Sequence, residues 1–408
     1  MQPKICLIGS DMNTYYMARC YHELYGTNID VIATEPIRFT QHSSIVNITY
    51  HSDLKNPESF VRILTEYAAG LNLKDRILVI PCHDVYVRLL VEHKSELEKY
   101  FIFNSPKAEI ADSFLDKEKF YKTYSSSELS FANTYYWDCS KGMNDRIPSN
   151  FSFPCIIKPG DGLKYGLCHF EGKPKVYKAL NEADALGFIE KVVQSGYKGT
   201  LIVQEFIPGD DTRLFDCIFY VSSKGKAQLA TFAQIGLQEH SPSALGNCTV
   251  LINGYSQFGH TEETIMKLKG FLEGIGYNGF AEFDLKYDER DNTYKVLEIN
   301  PRQARSSYYL CALGHNLIQY LVDDLFENKD KEFEIEKGEY LLSMVPKSVI
   351  KKYIFNEDYQ RKALSLIKAG KVCDPLNYRA DHALKHRIYL VLRAMNYKKK
   401  YKIFTDTI

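Results

Sequence analysis

The chain has no surplus of charge: in its 408 residues Lys plus Arg and Asp plus Glu both number 51. A zero balance gives no bulk attraction to nucleic acid or to an anionic membrane, so such a contact would need a local patch. Nucleic acid is therefore not an expected partner. The ten cysteines stand singly, with no CxxC pair, which argues against a zinc site or a disulfide framework. No run of about eighteen apolar residues occurs, so no transmembrane helix is expected. The apolar run in "MQPKICLIGSDMN" is too short for a signal peptide, and a reducing, cytoplasmic location is the expectation. Low-complexity tracts and internal repeats are also missing. The turn after the first apolar segment lacks G-x-G-x-x-G, which removes a dinucleotide site.

What is present is the composition of a globular protein, 45% hydrophobic and 25% charged, long enough for two or three domains. "KICLIG", "IDVIAT", "RILVIPC" and "FIFNS" read as apolar strands. "TYYMARCYHELYG" and "VYVRLLVEHKSELEKY" read as amphipathic helices between them, the first stopped by Gly26. This alternation predicts a doubly wound parallel α/β domain over residues 1–115. "AEIADSFLDKEKFYKTYSS" reads as one helix closing that unit. A second unit, residues 116–325, carries the strands "FPCIIKPG" and "GTLIVQEFIPGDD". The alternating segments "RLFDCIFYVSS" and "AQLATFAQIG" follow, expected to be antiparallel. The composition shifts at "ENKDKEFEIEKGE", so residues 326–408 are expected to form a small appended lobe.

Charge concentrates at the ends of two neighbouring strands, "GFAEFDLKYD" and "YKVLEINP". Glu282 and Asp284 are two apart and share a face; Glu298 and Asn300 do the same on the next strand. If these strands pair, three carboxylates and an amide converge. Buried carboxylates without partners cost roughly several kcal/mol each, so a cation is expected. Oxygen ligands suit Mg²⁺ or Mn²⁺ rather than zinc, and magnesium shares phosphate oxygens, which makes a nucleotide the natural co-ligand. Arg302 and Arg305 would then clamp phosphate or carboxylate groups. A structural salt-bridge network of Glu298 with either arginine is the competing reading, and this patch alone does not separate the two. Elsewhere Lys158 ends a strand after Ile156 and Ile157 and needs an anionic partner. Gln204, Glu205, Asp210 and Asp211 surround Ile207: a polar side chain beside a free amide suits an adenine edge, and a downstream acid suits a ribose hydroxyl.

The order Lys117, Lys158, "QEFIPGDD", "AEFDLK", "EINPR" resembles the ATP-grasp superfamily over residues 110–325. The N-terminal unit is similar to that superfamily's preceding domain. The resemblance implies an α/β protein whose second unit is a two-lobed α+β ATP-grasp domain. It implies that Lys117 and Lys158 bind the α- and β-phosphates, that Gln204, Glu205 and the backbone at Ile207 read adenine, and that Asp211 meets the ribose. Glu298 and Asn300 match the family's metal ligands; the third is Glu282 or Asp284, with Glu282 favoured because it precedes a phenylalanine as in carboxylase-like members. Arg302 would hold the transferred γ-phosphate or the acyl phosphate, and Arg305 and Ser306 the intermediate. The usual glycine-rich lid is replaced by "PGDGLKYG", with Gly160, Gly162, Gly166 and Lys164, expected to wrap phosphates with less mobility. "GSDMN" with "YYMARCYHELYG" is also similar to the bacterial D-aspartate ligases of this class. That implies an ATP- and Mg²⁺-dependent joining of an amino-acid carboxylate, D-aspartate, to an amine acceptor such as a nucleotide-linked muropeptide. A homodimer is compatible with this reading.

Other residues have two readings each. Asp11 or Asn13 caps the helix that follows, the favoured reading, or meets a substrate amino group. His83 and Asp84 in "PCHD" contact substrate or form a capped turn. In the tail "HALKHRIYLVLRAMNYKKKYKIF" the residues Leu384, Ile388, Val391, Leu392 and Met395 share a face. The favoured expectation is that the helix docks on the core with a solvated basic end; the other is a site for an anionic acceptor or lipid. The dispersed tyrosines are read as packing. No biotin-accepting or glutaminase segment is visible, which lowers carboxylase-type and carbamoyl-phosphate-type activities. The remaining alternatives are a ligase for another amino acid or cell-surface acceptor, and a nucleotide-binding protein without catalysis.

Overall fold

The strand expected at "KICLIG" forms as Ile5–Ile8 and is buried throughout, the pattern of a parallel strand covered on both faces. The computed structural model describes residues 2–71, 76–242 and 244–404. Ile5–Ile8 lies between Ile29–Ala33 and Ile77–Pro81, with Val46–Tyr50 and Phe101–Ile102 outermost. Every pairing in this five-stranded sheet is parallel, as the alternation predicts. The helix Met12–Tyr25 leaves the first strand through Asp11, whose carboxylate accepts from the Thr14 amide at 3.1 Å. It ends at Gly26, whose φ of 68° is a left-handed state easy only for glycine.

Two further sheets follow. Thr134–Asp138, Thr200–Glu205, Cys155–Pro159 and Tyr177–Ala179 form a four-stranded antiparallel sheet in that spatial order. Its apolar face packs Ile157 and Val203 with Ile189 of the helix Glu182–Gln194. The larger sheet has nine strands. From one edge inward, Thr293–Asn300, Gly279–Asp288, Leu214–Val221, Ala233–Gln238 and Cys248–Asn253 are successive antiparallel neighbours.

Four expectations meet a different outcome. The single helix read over residues 108–126 is two, Ala108–Leu115 and Lys117–Tyr124. Asp116 is extended between them and accepts from the Lys119 amide at 3.1 Å; an aspartate competes well for this cap, and the break sets Lys117 at a helix start. "AQLATFAQIG" is antiparallel to Leu214–Val221 as expected, but it is split at Phe232 into Ala227–Thr231 and Ala233–Gln238, which pair with successive parts of that strand. The segment expected as an appended lobe supplies Glu334–Glu336, Tyr340–Ser343 and Val372–Cys373 to the nine-stranded sheet.

The fourth is the tail helix, Leu384–Ile403, which docks by the opposite face to the one expected. Tyr397 and Tyr401 are buried. Their hydroxyls reach Glu239 at 3.1 Å, the Gln238 carbonyl at 2.7 Å and Thr249 at 2.7 Å. The surface beneath presents polar groups, and tyrosines satisfy them while still burying apolar area; leucine or valine there would leave them without partners.

Candidate active site

The two charged strands pair as the spacing predicts. Glu282 lies opposite Asn300 and Asp284 opposite Glu298. The register then slips, with Leu285 opposite Val296, so Leu297 is an extra residue in a bulge, a device that re-aims neighbouring side chains. A third strand extends the row, because Asp216 is the register partner of Asp284. Directly opposed residues share a face, so Asp216, Asp284 and Glu298 form a line across three strands. Asn300 donates to Glu282 at 2.5 Å. Burial, then Asp284, pushes the Glu282 carboxyl well above its ordinary range. Burial also raises Asp284 and lifts Asp216 to about 7. One Asp216 oxygen accepts from Ser306; the other is buried without a partner among the described residues.

Two lysines face this row. Lys117 contacts Glu298, and its amide donates to the Gly160 carbonyl at 3.1 Å. Lys158 is buried and donates to the Tyr121 hydroxyl at 2.9 Å and to Gln204 at 3.2 Å. Tyr121 in turn donates to the carbonyl of the bulged Leu297 at 2.6 Å. Burial lowers both ammonium groups to about 7, with Lys158 and then Lys175 adding repulsion at Lys117. A lysine kept at this cost awaits an anion.

Lys117, Lys158, Asp284 and Glu298 line a cavity of about 670 Å³ together with Gln204 and Ile207. Glu205 and Asp211 lie on the same wall. The Glu205 carboxylate pairs with Arg290. Asp211 accepts from the Gln238 backbone at 2.9 Å and side chain at 2.7 Å, with His240 Nε2 at 2.8 Å. Gln204 also donates to Thr134 at 2.9 Å, so its amide steadies Lys158. The expected lid forms a short helix, Gly162–Gly166. Lys164 is exposed and paired with Asp161 at 3.4 Å, and it is Lys175 that reaches the cavity wall.

The turn after the charged strand is gripped by the N-terminal domain. Arg302 Nε donates to Asp84 at 2.6 Å, and a terminal nitrogen reaches Asn300 Oδ1 at 3.3 Å. Burial opposes the Asp84 charge, but Arg302 outweighs it and holds the carboxyl below its ordinary range. Asn13 is buried and donates to the Gln303 carbonyl at 3.2 Å. Of the predicted substrate contacts, Asp84 meets Arg302, whereas Asp11 and His83 cap helices. Arg305 faces Glu239 at 4.0 Å, and its Nε is buried without a partner among the described residues. The competing salt-bridge reading therefore does not hold: Glu298 pairs with Lys117, and the arginines pair elsewhere. Sequence reading missed Asp216, Tyr121, Lys175 and Glu239. Only Asp216 left a signal, one acid inside the apolar strand "LFDCIFYV".

The chain is 30% identical to D-aspartate ligase of Enterococcus faecium (strain Aus0004), over 97% of this chain and 95% of that one. It belongs to the D-aspartate ligase family. No protein-family profile matches it. Among solved structures, the L-amino acid ligase of Bacillus licheniformis superposes with a TM-score of 0.58 at 14% identity, over 80% of this chain and 74% of that one. The biotin carboxylase domain of Hydrogenobacter thermophilus 2-oxoglutarate carboxylase, solved with magnesium ADP and bicarbonate, gives 0.63 at 14% identity, over 84% and 74%. These likenesses carry the fold, an N-terminal α/β domain followed by an ATP-grasp unit. This member of the D-aspartate ligase family is thus an enzyme, an ATP-grasp ligase of the carboxylate–amine class.

Proposed function

We propose that the enzyme joins a carboxylate of D-aspartate to the lysine amine of a peptidoglycan precursor, using ATP and passing through an acyl phosphate. The observation that carries this is the pair Asp284 and Glu298 facing Lys117 and Lys158 across one cavity, with Asp216 buried beside Asp284. Carboxylates alone would hold a bare cation, and lysines alone a bare anion; both together suit a metal–triphosphate. Magnesium fits the donor set, whose ligating atoms are all oxygen. Asp284 and Glu298, with Glu282 and Asn300 behind them, would hold it; manganese has the same preference. When bound, such a metal would neutralise charge on the triphosphate.

The rest is the work of this chain. Lys158, held by Tyr121 and Gln204, and Lys117 pair with phosphate oxygens. The strand end at Gln204, Glu205 and Ile207 forms the slot for the adenine, and Asp211, oriented by Gln238 and His240, reaches toward the ribose. Arg302, anchored on Asp84, meets charge that develops as the carboxylate attacks the γ-phosphorus. ADP leaves, the amine attacks the acyl carbon, and phosphate leaves with closure of the amide. The 160–166 segment and Lys175 shield the acyl phosphate from water. D-Aspartate is assigned on the near-full-length likeness to a D-aspartate ligase, and the peptide amine on the resemblance of the N-terminal segment.

The test is phosphate release from magnesium ATP with D- and L-amino acids, each with and without a lysine-containing muropeptide. Release that needs D-aspartate and the muropeptide together is expected. Release with a different amino acid or acceptor would keep the chemistry and discard the substrates.

A further inference from the structure

The helix Leu384–Ile403 is built inside out. Toward the protein it turns His386, Tyr397 and Tyr401, all buried. Toward solvent it turns Leu384, Ile388, Val391, Leu392 and Met395, each 50–71% exposed. Their spacing places them on one stripe opposite the tyrosines. A surface helix ordinarily shows the reverse, and a contiguous exposed apolar stripe marks a surface that meets something.

The charges say what it meets. The helix sequence LKHRIYLVLRAMNYKKKYKI contains no acidic residue. Lys385 and Arg387 flank the stripe, and Lys398, Lys399 and Lys402 continue it by one further turn; all five are exposed. The remaining cations point inward: Arg393 donates to the Met344 carbonyl at 3.3 Å and Lys400 to Glu239 at 2.9 Å. A second copy meeting this face about a two-fold axis would oppose cations with cations, with no acid on the helix to offset them. A soluble anion would use the lysines and leave the stripe in water. An anionic lipid surface uses both, apolar side chains entering the acyl boundary and ammonium groups meeting headgroups. Among the described residues no helix is long and apolar enough to cross a membrane, so the contact lies in the plane of the interface.

We propose that Leu384–Ile403 is a membrane-docking helix for anionic lipid, which holds the enzyme on a bilayer surface. The same helix reaches the catalytic region from its inner side, through Lys400 and Tyr397 on Glu239, which faces Arg305. Docking therefore engages the same helix that holds Glu239 beside Arg305. Lipid docking by this helix does not depend on the identity of the substrates.

The experiment is co-sedimentation of the full chain, without nucleotide, with vesicles of phosphatidylcholine alone or with about one third phosphatidylglycerol. The double variant Ile388→Ser, Val391→Ser and the triple variant Lys398→Glu, Lys399→Glu, Lys402→Glu are run beside it, with thermal melting to confirm folding. All five side chains are exposed, so both variants should melt close to wild type. Binding to the anionic vesicles is expected, weakened by salt and at least about tenfold weaker in each variant. Absence of wild-type binding, or equal binding to neutral vesicles, would overturn the proposal. So would a solution dimer in sedimentation velocity that Ile388→Ser, Val391→Ser converts to monomer, since the stripe would then belong to a second copy.

Discussion

Lys158 gives the sharpest prediction, because its protonation should change when ATP binds. Burial lowers its ammonium from an ordinary value of 10.5 to about 7. A lowered lysine is a cost to folding that is fully present when the group is charged, below about 7, and is relieved as pH rises toward 10.5. At pH 8 only about one tenth of the free enzyme carries this charge. A phosphate oxygen in contact returns the group to its charged form, so binding takes up about 0.9 proton at this site. At pH 6 nearly all of it is already charged, and the uptake falls to about 0.1 proton. Titration calorimetry of ATP in buffers of different ionisation enthalpy reads the uptake directly. Lys117, lowered to the same range, adds its own share, so the comparison that matters is with Lys158→Met. That variant should bind ATP about 10- to 150-fold more weakly, the worth of one charged hydrogen bond, and should take up about one proton fewer at pH 8. Equal uptake by wild type and variant at pH 8 would refute the assignment of Lys158 to the phosphates.

Arg302→Ala should leave the Kd for ATP within about threefold and lower kcat by about 100-fold or more; equal loss of both, read by calorimetry and phosphate release, counts against its catalytic role. Asp84→Asn keeps the shape but removes the charge that pins Arg302; with Asp84 partly exposed the loss should be about 1–2 kcal/mol, or about 5- to 30-fold in kcat, and unchanged turnover would leave Asp84 a purely structural partner. Gly236→Ala tests packing beside the cavity: a Cβ there would lie 2.1 Å from the Tyr359 ring, and urea unfolding should show a loss of about 1–3 kcal/mol.

The convergence of Glu282, Asp284, Glu298 and Asn300 was legible because period-two spacing in strands is a local rule. Glu282 with Asp284, and Glu298 with Asn300, share a face whatever the tertiary fold. Asp216 showed only as a lone acid in an apolar strand, because its place opposite Asp284 depends on a register set by the whole sheet. The break at Asp116 is local, yet the helical pattern ran through it on both sides and hid the cap. Arg302 stood out in the sequence, but its partner Asp84 comes from the other domain, and no spacing rule links them. The tail failed in a different way. Its apolar stripe is real, but assigning that stripe to the core assumes that apolar faces point inward. Here the polar surface beneath selects the tyrosines instead.

The central claim is that ATP activates the carboxylate of the amino acid as an acyl phosphate. D-Aspartate labelled with ¹⁸O in its carboxylates, turned over with magnesium ATP and the muropeptide acceptor, tests this directly by mass spectrometry of the phosphate released. One ¹⁸O atom in inorganic phosphate is expected for each amide formed, with ADP as the nucleotide product. Unlabelled phosphate, or label carried into AMP, would contradict it.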